Sequence, residues 1–183
     1  MFPPIELNTE SKQSNGRTPL DTPTHTSDTV FSQGLEDRFA VEQDIESPPW
    51  PGRTYMIRNR ATDKVLAREY GRLVLKAPAD LATCGWHWTC VEGIGGWLGF
   101  QETISGVYLG RDNRGGFRAL ATQHKDWEFF DARRHPDGGY QLLSLHWLSR
   151  MRMAVDMRTQ GVVETALSGD DGDVSSLWDF VQV

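Results

Sequence analysis

The chain has 183 residues, enough for one domain and an additional segment, with 38% hydrophobic residues and a formal net charge of −6. All of that net charge lies in residues 1–49, which hold nine acidic and three basic residues, whereas residues 50–183 hold 16 of each. A near-neutral body argues against a surface that follows phosphates, so we expect no nucleic-acid partner. We recognise no membrane span and no secretory signal, so we expect no membrane partner and a cytoplasmic location.

The first 49 residues predict a disordered acidic tail. They are rich in Pro, Ser and Thr and contain few large apolar residues. Such a segment cannot bury enough apolar surface to offset the loss of chain entropy. Leu35 and Phe39 have the i, i+4 spacing of a helix, so residues 33–46 are either a transient acidic helix or a docking peptide.

From residue 50 onward, short apolar runs alternate with turn signals and predict about twelve β-strands. The clearest hairpin signal is Pro-Asp-Gly-Gly at 136–139, because glycine and aspartate adopt the backbone angles of tight turns. No long amphipathic helical stretch interrupts the pattern. We therefore predict an all-β domain over residues 50–183.

The apolar runs recur three times in the same order, and this repeat predicts the fold. Each repeat opens with an aromatic residue, continues through a short apolar run, and ends with a tryptophan. The opening aromatics are Tyr55, Trp97 and Tyr140; the central apolar residues are Leu66, Leu109 and Met153; the closing tryptophans are Trp88, Trp127 and Trp178. A threefold unit of this size predicts a β-trefoil, a six-stranded barrel capped by three hairpins, with repeats at about 54–95, 96–138 and 139–183. The central residues and the closing tryptophans are expected to form its core.

The second repeat carries a family resemblance. Its pattern of Gly-aromatic-x-Leu, Val-Tyr-Leu-Gly, Gly-Gly-Phe-x-Ala and Trp-Glu-Phe-Phe at residues 96–130 resembles a repeat of the fascin-like and ricin-B-like β-trefoil proteins. Residues 50–183 are similar to short fungal chains placed near those groups. The resemblance implies the trefoil fold and a fungal source, but a fold hosts many functions.

The same comparison argues against a standard galactose site. Ricin-type repeats end in Gln-x-Trp, and the glutamine position is occupied here by Trp86, Lys125 and Ser176. The match to fascin-like repeats is closer, through residues 107–110 and 127–129. Actin bundling in that family uses several trefoils, whereas this chain has one, so filament crosslinking by a monomer is not expected.

Aromatic residues that break the threefold pattern are the first candidates for binding. Trp147 and His146 lie in a turn of the third repeat, and the matching turns at 59–62 and 101–104 contain no aromatic residue. They either stack a planar ligand or fold back over the barrel rim. In a strand Trp86 would share a face with Trp88, opposite His87, and would either extend the core or form a platform.

Polar candidates lie in the second repeat. Asp112 and Asn113 form either a charged hairpin turn or the acid and amide of a lectin-type pocket. Cys84 and Cys90 are expected to be thiols and small core residues. The acidic run at 170–173 lacks the spacing of a calcium loop, and no catalytic motif is present, so we expect no metal and no cofactor.

These observations predict a non-catalytic binding module that recognises a glycan, another small molecule or a protein through its loops. Two alternatives remain open. One is a fascin-like module that contacts a cytoskeletal or other protein surface. The other is a small isomerase or cyclase that acts on a hydrophobic metabolite, which a pocket containing His146 and a carboxylate would favour. The sequence leaves the oligomeric state open.

Overall fold

The computed structural model describes residues 47–167 and 173–183. The predicted tail up to residue 46, with its helix, and residues 170–172 of the acidic run lie outside the described residues. The described chain contains four short 3₁₀-helical segments and twelve β-strands. The 3₁₀ turns are Pro78–Thr83, Ile94–Gly96, Asp126–Glu128 and Val174–Ser176. The strands are β1 (Thr54–Asn59), β2 (Val65–Glu69), β3 (Arg72–Lys76), β4 (His87–Glu92), β5 (Leu98–Glu102), β6 (Tyr108–Arg111), β7 (Phe117–Ala121), β8 (Phe130–Arg134), β9 (Tyr140–His146), β10 (Ser149–Asp156), β11 (Gly161–Ala166) and β12 (Leu177–Gln182).

Six of the strands close into a barrel. They pair edge to edge in the order β1, β4, β5, β8, β9 and β12, and β12 pairs again with β1. The other six form the hairpins β2–β3, β6–β7 and β10–β11, which continue from β1, β5 and β9. Closure pairs both edges of every barrel strand. A six-stranded barrel with three hairpins is a β-trefoil, so the predicted fold is confirmed.

The barrel core contains the residues that the repeat predicted at its centre. Leu66, Leu109 and Met153 are completely buried, as are Trp88 and Trp178. The two indole Nε1–H groups donate to the carbonyl oxygens of Leu66 and Met153, each at 2.9 Å. The central residue and the closing tryptophan of a repeat therefore contact each other in the same way in the first and third repeats.

In the second repeat the core position of the tryptophan is held by Phe130, so the assignment of Trp127 to the core is wrong. Phe130 is 1% exposed, whereas Trp127 is half-buried in the 3₁₀ turn before β8. Strand register shows that Phe130 is the residue equivalent to Trp88 and Trp178. The residues paired with each on the two neighbouring strands are Tyr55 and Glu102 for Trp88, Leu98 and Ser144 for Phe130, and Tyr140 and Asn59 for Trp178. The opening position of this repeat is likewise Leu98, one residue after Trp97. Both tryptophans are thereby displaced from the core.

In the third repeat, β9 and β10 form a longer hairpin than the equivalent strands β1 and β2 or β5 and β6 do in the other repeats. In the first two repeats the barrel strand ends at Asn59 and Glu102, whose side chains accept backbone N–H donors of the following turn at 2.8–3.2 Å. The equivalent Ser144 directs its hydroxyl to a glutamate elsewhere. Strand β9 instead continues to His146, which pairs with Ser149 across a two-residue turn. This extension places Trp147 and Leu148 at the tip of the β9–β10 hairpin.

The turn-capping carboxylate of Glu102 is 1% exposed. Burial raises its pKa, but donors from the Ser105 hydroxyl and from the backbone N–H groups of Ile104 and Ser105 outweigh that effect and hold the pKa below the ordinary 4.5. Gly85 lies beside it, where a Cβ atom would stand 2.6 Å from the carboxyl carbon of Glu102. Glycine at this position therefore makes room for the cap.

The two cysteines are buried free thiols, in agreement with the prediction that they are small core residues. Cys90 lies in the main core and Cys84 in a second cluster beneath β2. Burial is the main cause that raises the pKa of Cys90 to about 12, and it also raises the pKa of Cys84. Both groups are therefore thiols rather than thiolates at neutral pH.

Candidate functional site

A pocket of about 660 Å³ lies between the second and third repeats. Its walls come from the residue before β5, the end of β6 and the turn after it, the 3₁₀ turn before β8, and the tip of the β9–β10 hairpin. The lining residues are Trp97, Arg111, Asn113, Asp126, Trp127, Phe129, Leu145, His146 and Trp147. The volume falls in the range of small-molecule sites, and the lining combines aromatic surfaces with a few polar groups.

Three of the five residues singled out in the sequence line this one pocket. They are Asn113, His146 and Trp147. Asn113 lies 33 positions before His146, and the packing of two repeats brings it to the adjacent pair His146 and Trp147. Asp112 and Trp86 are not among the lining residues. The part that the three play in binding stays a prediction.

Trp147 occupies the turn of the β9–β10 hairpin with a left-handed backbone, at φ 56°. A residue other than glycine held there costs about 1–3 kcal/mol. Its side chain is 84% exposed, and the neighbouring Leu148 is fully exposed. Core packing therefore does not explain a tryptophan at this position.

His146 is fixed beside the pocket by a buried carboxylate. Its Nδ1 lies 2.9 Å from Oε2 of Glu164, whose side chain is 2% exposed. The hydroxyl of Ser144 donates to Oε1 of the same glutamate at 3.3 Å. A carboxylate accepts hydrogen bonds, so Nδ1 is the donor in this contact and Nε2 takes no part in it. No hydrogen bond of Nε2 occurs within the described ranges.

A row of stacked rings supports the aromatic wall. Trp97 and Phe129 are parallel, with centroids 5.9 Å apart and planes at 3°, and Phe129 meets the edge of His124 at 4.9 Å. His124 stacks in turn on Tyr108 at 5.6 Å. A Cβ atom on Gly99 would stand 2.6 Å from Nε2 of His124, so glycine there admits the ring. His124 is therefore used in packing.

Two guanidinium groups lie over the ring of Trp127. The Cζ atoms of Arg111 and Arg118 are 4.7 Å and 5.3 Å from its centroid, within cation–π range. Arg118 is exposed, whereas Arg111 is only 9% exposed. The Nε atom of Arg111 is buried without a hydrogen-bond partner, and its side chain forms no ion pair with the part of the chain that the structure describes.

Asp112 forms the turn after β6. Its Oδ1 accepts the backbone N–H groups of Arg114 at 2.7 Å and Gly116 at 2.9 Å. These bonds use an Asp side chain in its common turn-forming role. They place the adjacent Asn113 at the pocket while Asp112 itself faces the turn, as expected for a charged hairpin turn.

Trp86 is partly buried and packs against the second core cluster, beneath β2. Its ring stacks on that of His87, with centroids 3.6 Å apart and planes at 28°. The expectation that the two side chains point in opposite directions is wrong, because β4 begins at His87 and the alternation of a strand does not extend to Trp86. Trp86 thus extends the core and is not a platform in this pocket.

Sequence reasoning missed Trp97, Arg111, Trp127 and Glu164 as residues of this site. A signal existed for Trp127, since a second aromatic residue three positions later offered an alternative register for the repeat. The buried glutamate had no signal, because its contact with the hairpin depends on the register of β10 with β11. The sequence likewise carried no signal for Arg111.

No group of three His, Cys, Asp or Glu side chains that could hold a metal ion occurs within residues 47–167 and 173–183. Over the same ranges, no helix is both long enough and apolar enough to cross a membrane.

No protein-family model and no curated protein matches the sequence. Solved structures do match. The designed threefold-symmetric protein ThreeFoil has a TM-score of 0.59 and 18% identity, over 71% of this chain and 99% of that chain. The Macrolepiota procera ricin B-like lectin in complex with lactose has a TM-score of 0.57 and 15% identity, over 75% of this chain and 100% of that chain. A GlcNAcα1-4Gal-releasing endo-β-galactosidase from Clostridium perfringens has a TM-score of 0.61 and 18% identity, over 72% of this chain and 32% of that enzyme. At these identities the likeness shows the β-trefoil fold. The resemblance to fascin-like repeats stays a prediction.

Proposed function

We propose that this chain is a non-catalytic module that binds a saccharide in the pocket between its second and third repeats. The observation that carries the proposal is Trp147, an exposed aromatic residue held in a strained turn at the mouth of that pocket. Strain of this kind persists where the surrounding structure enforces it, and it clusters at ligand sites. Among proteins of the same fold, the Macrolepiota procera lectin was solved with lactose.

The chemistry of the lining fits a sugar. Aromatic rings such as Trp97 and Trp147 offer flat apolar surfaces for the C–H face of a pyranose ring. Hydroxyl groups of the sugar find acceptors on Nε2 of His146 and on the carboxylate of Asp126, and both a donor and an acceptor on the amide of Asn113. A few polar groups in an aromatic pocket fix the orientation of a ligand.

A glycan array that carries neutral and acidic saccharides tests this function. Wild type is expected to bind a defined subset of the array, and Trp147→Ala is expected to lose that binding with an unchanged circular dichroism spectrum. Tyr70→Ala is the matched control, because Tyr70 is also an exposed turn aromatic with a left-handed backbone, at 97% exposure and φ 47°, and does not line this pocket. The control should bind like wild type.

Two results would contradict the proposal. The first is a wild type that binds no saccharide on the array. The second is binding that survives Trp147→Ala at wild-type strength, which would move the site away from this pocket.

A second candidate function, general acid–base catalysis, is favoured by the pair of His146 and Glu164 at the pocket. A histidine oriented by a buried carboxylate is a common arrangement for a general base. The test is to incubate wild type with the array saccharides that it binds and to examine them by NMR. Recovery of unchanged saccharide supports the binding module. Conversion that Glu164→Gln abolishes would establish the enzyme.

A further inference from the structure

At the wall of the pocket, Arg111 is a buried cation that has no counter-ion among the described residues. It is 9% exposed, its Nε is buried and unpaired, and no carboxylate pairs with it among the residues that the structure describes. Contact with the face of Trp127 stabilises the charge but leaves N–H donors of the guanidinium without acceptors. Burying a charge without a partner is costly, so the arrangement is best completed by an anion that enters with the ligand.

We propose that the pocket takes an acidic saccharide whose anionic group, a carboxylate or a sulfate, pairs with Arg111. The inference rests on the proposed function and specifies its ligand class. A guanidinium binds a carboxylate through two parallel N–H···O bonds, which a neutral hydroxyl cannot reproduce. The stacked ring of Trp127 holds the guanidinium in place before the ligand arrives, so little side-chain entropy remains to be lost.

The charges around Arg111 are consistent with this assignment. Arg118 lies over the same ring and adds positive charge. Asp126 also lines the pocket and is exposed, so water screens its repulsion of an anion. The carboxylate of Glu164 accepts hydrogen bonds from His146 and Ser144 and does not itself line the pocket. Among the charged side chains that line the pocket, Arg111 is therefore the least exposed.

The test is an array that pairs each uronic-acid glycan with its methyl ester and each sulfated glycan with its unsulfated parent. Wild type should bind the acidic member of a pair at least roughly tenfold more tightly than the neutral member, as expected for hydrogen bonds to a charged group. Binding of carboxylated members alone would identify a uronic acid as the ligand, and binding of sulfated members as well would show that either anion is accepted.

Arg111→Gln should abolish the preference, and Arg114→Gln is the matched control, because Arg114 is an exposed arginine of the turn after β6 that does not line the pocket. A preference that persists in Arg111→Gln would overturn the proposal. If that variant fails to fold, the comparison of acid and ester on wild type decides. If wild type binds the acid and the ester equally, and this binding is lost in Trp147→Ala, the role of Arg111 is overturned and the proposed function stands. No binding to any member would overturn both.

Discussion

Replacing Trp147 by glycine should separate binding from stability. The left-handed backbone at this position costs about 1–3 kcal/mol for a tryptophan and little for glycine. Against that gain, glycine loses about 0.5–1 kcal/mol of chain entropy on folding. The side chain is 84% exposed, so the remaining sixth of roughly 200 Å² contributes about 0.8 kcal/mol at about 25 cal/mol per Å². These terms nearly cancel.

The free energy of unfolding of Trp147→Gly should therefore stay within about 1 kcal/mol of wild type. Urea unfolding followed by far-ultraviolet circular dichroism measures this without relying on the deleted fluorophore. Among the described residues, Tyr70 is the other exposed aromatic residue with a left-handed backbone. Tyr70→Gly should change the free energy of unfolding as little as Trp147→Gly does, but it should keep saccharide binding. A loss above about 2 kcal/mol for Trp147→Gly alone would mean that Trp147 packs as part of the fold, and the argument from its exposure would fail.

Three further predictions concern the core. By urea unfolding, Phe130→Ala should lose about 3–5 kcal/mol and Trp127→Ala about 1–2 kcal/mol, because only the phenylalanine is fully buried; equal losses would restore Trp127 to the core. The pKa of Glu102 is lowered in the folded protein, so its carboxylate contributes stability that is present above the ordinary pKa of 4.5 and is lost as pH falls through the folded value. The difference in free energy of unfolding between wild type and Glu102→Gln should therefore shrink as pH falls below 4.5. A difference that is constant with pH would refute this. Cys84 and Cys90 should react with a thiol reagent at pH 8 only on unfolding, and rapid labelling of native protein would contradict their burial.

The fold was predictable because it depends on a repeated pattern of buried side chains. Leu66, Leu109 and Met153 stand at matching places in the three repeats, and all three are in the core. The identity of a residue was a poorer guide than its register. Trp127 looked like the partner of Trp88 and Trp178, but a 3₁₀ turn displaces it by three residues from the strand that holds the core position.

The candidate site was predictable only where it breaks the symmetry of the repeats. Trp147 and His146 stood out because the two matching turns contain no aromatic residue, and the structure places them in an extended hairpin that the other repeats lack. The positions of Arg111 and Glu164 follow from long-range pairing of strands and turns. Spacing along the chain carries no record of such contacts, so these residues could be found only in three dimensions.

The most direct test of the saccharide site uses the indole N–H signals of the seven tryptophans in a ¹H–¹⁵N NMR titration with the saccharide that binds most strongly on the array. The signals of Trp97, Trp127 and Trp147 should shift in proportion to occupancy, because these rings line the pocket. The signals of the buried Trp88 and Trp178 should stay in place. Shifts confined to indoles outside the pocket, with those of its three tryptophans unchanged, would contradict the account.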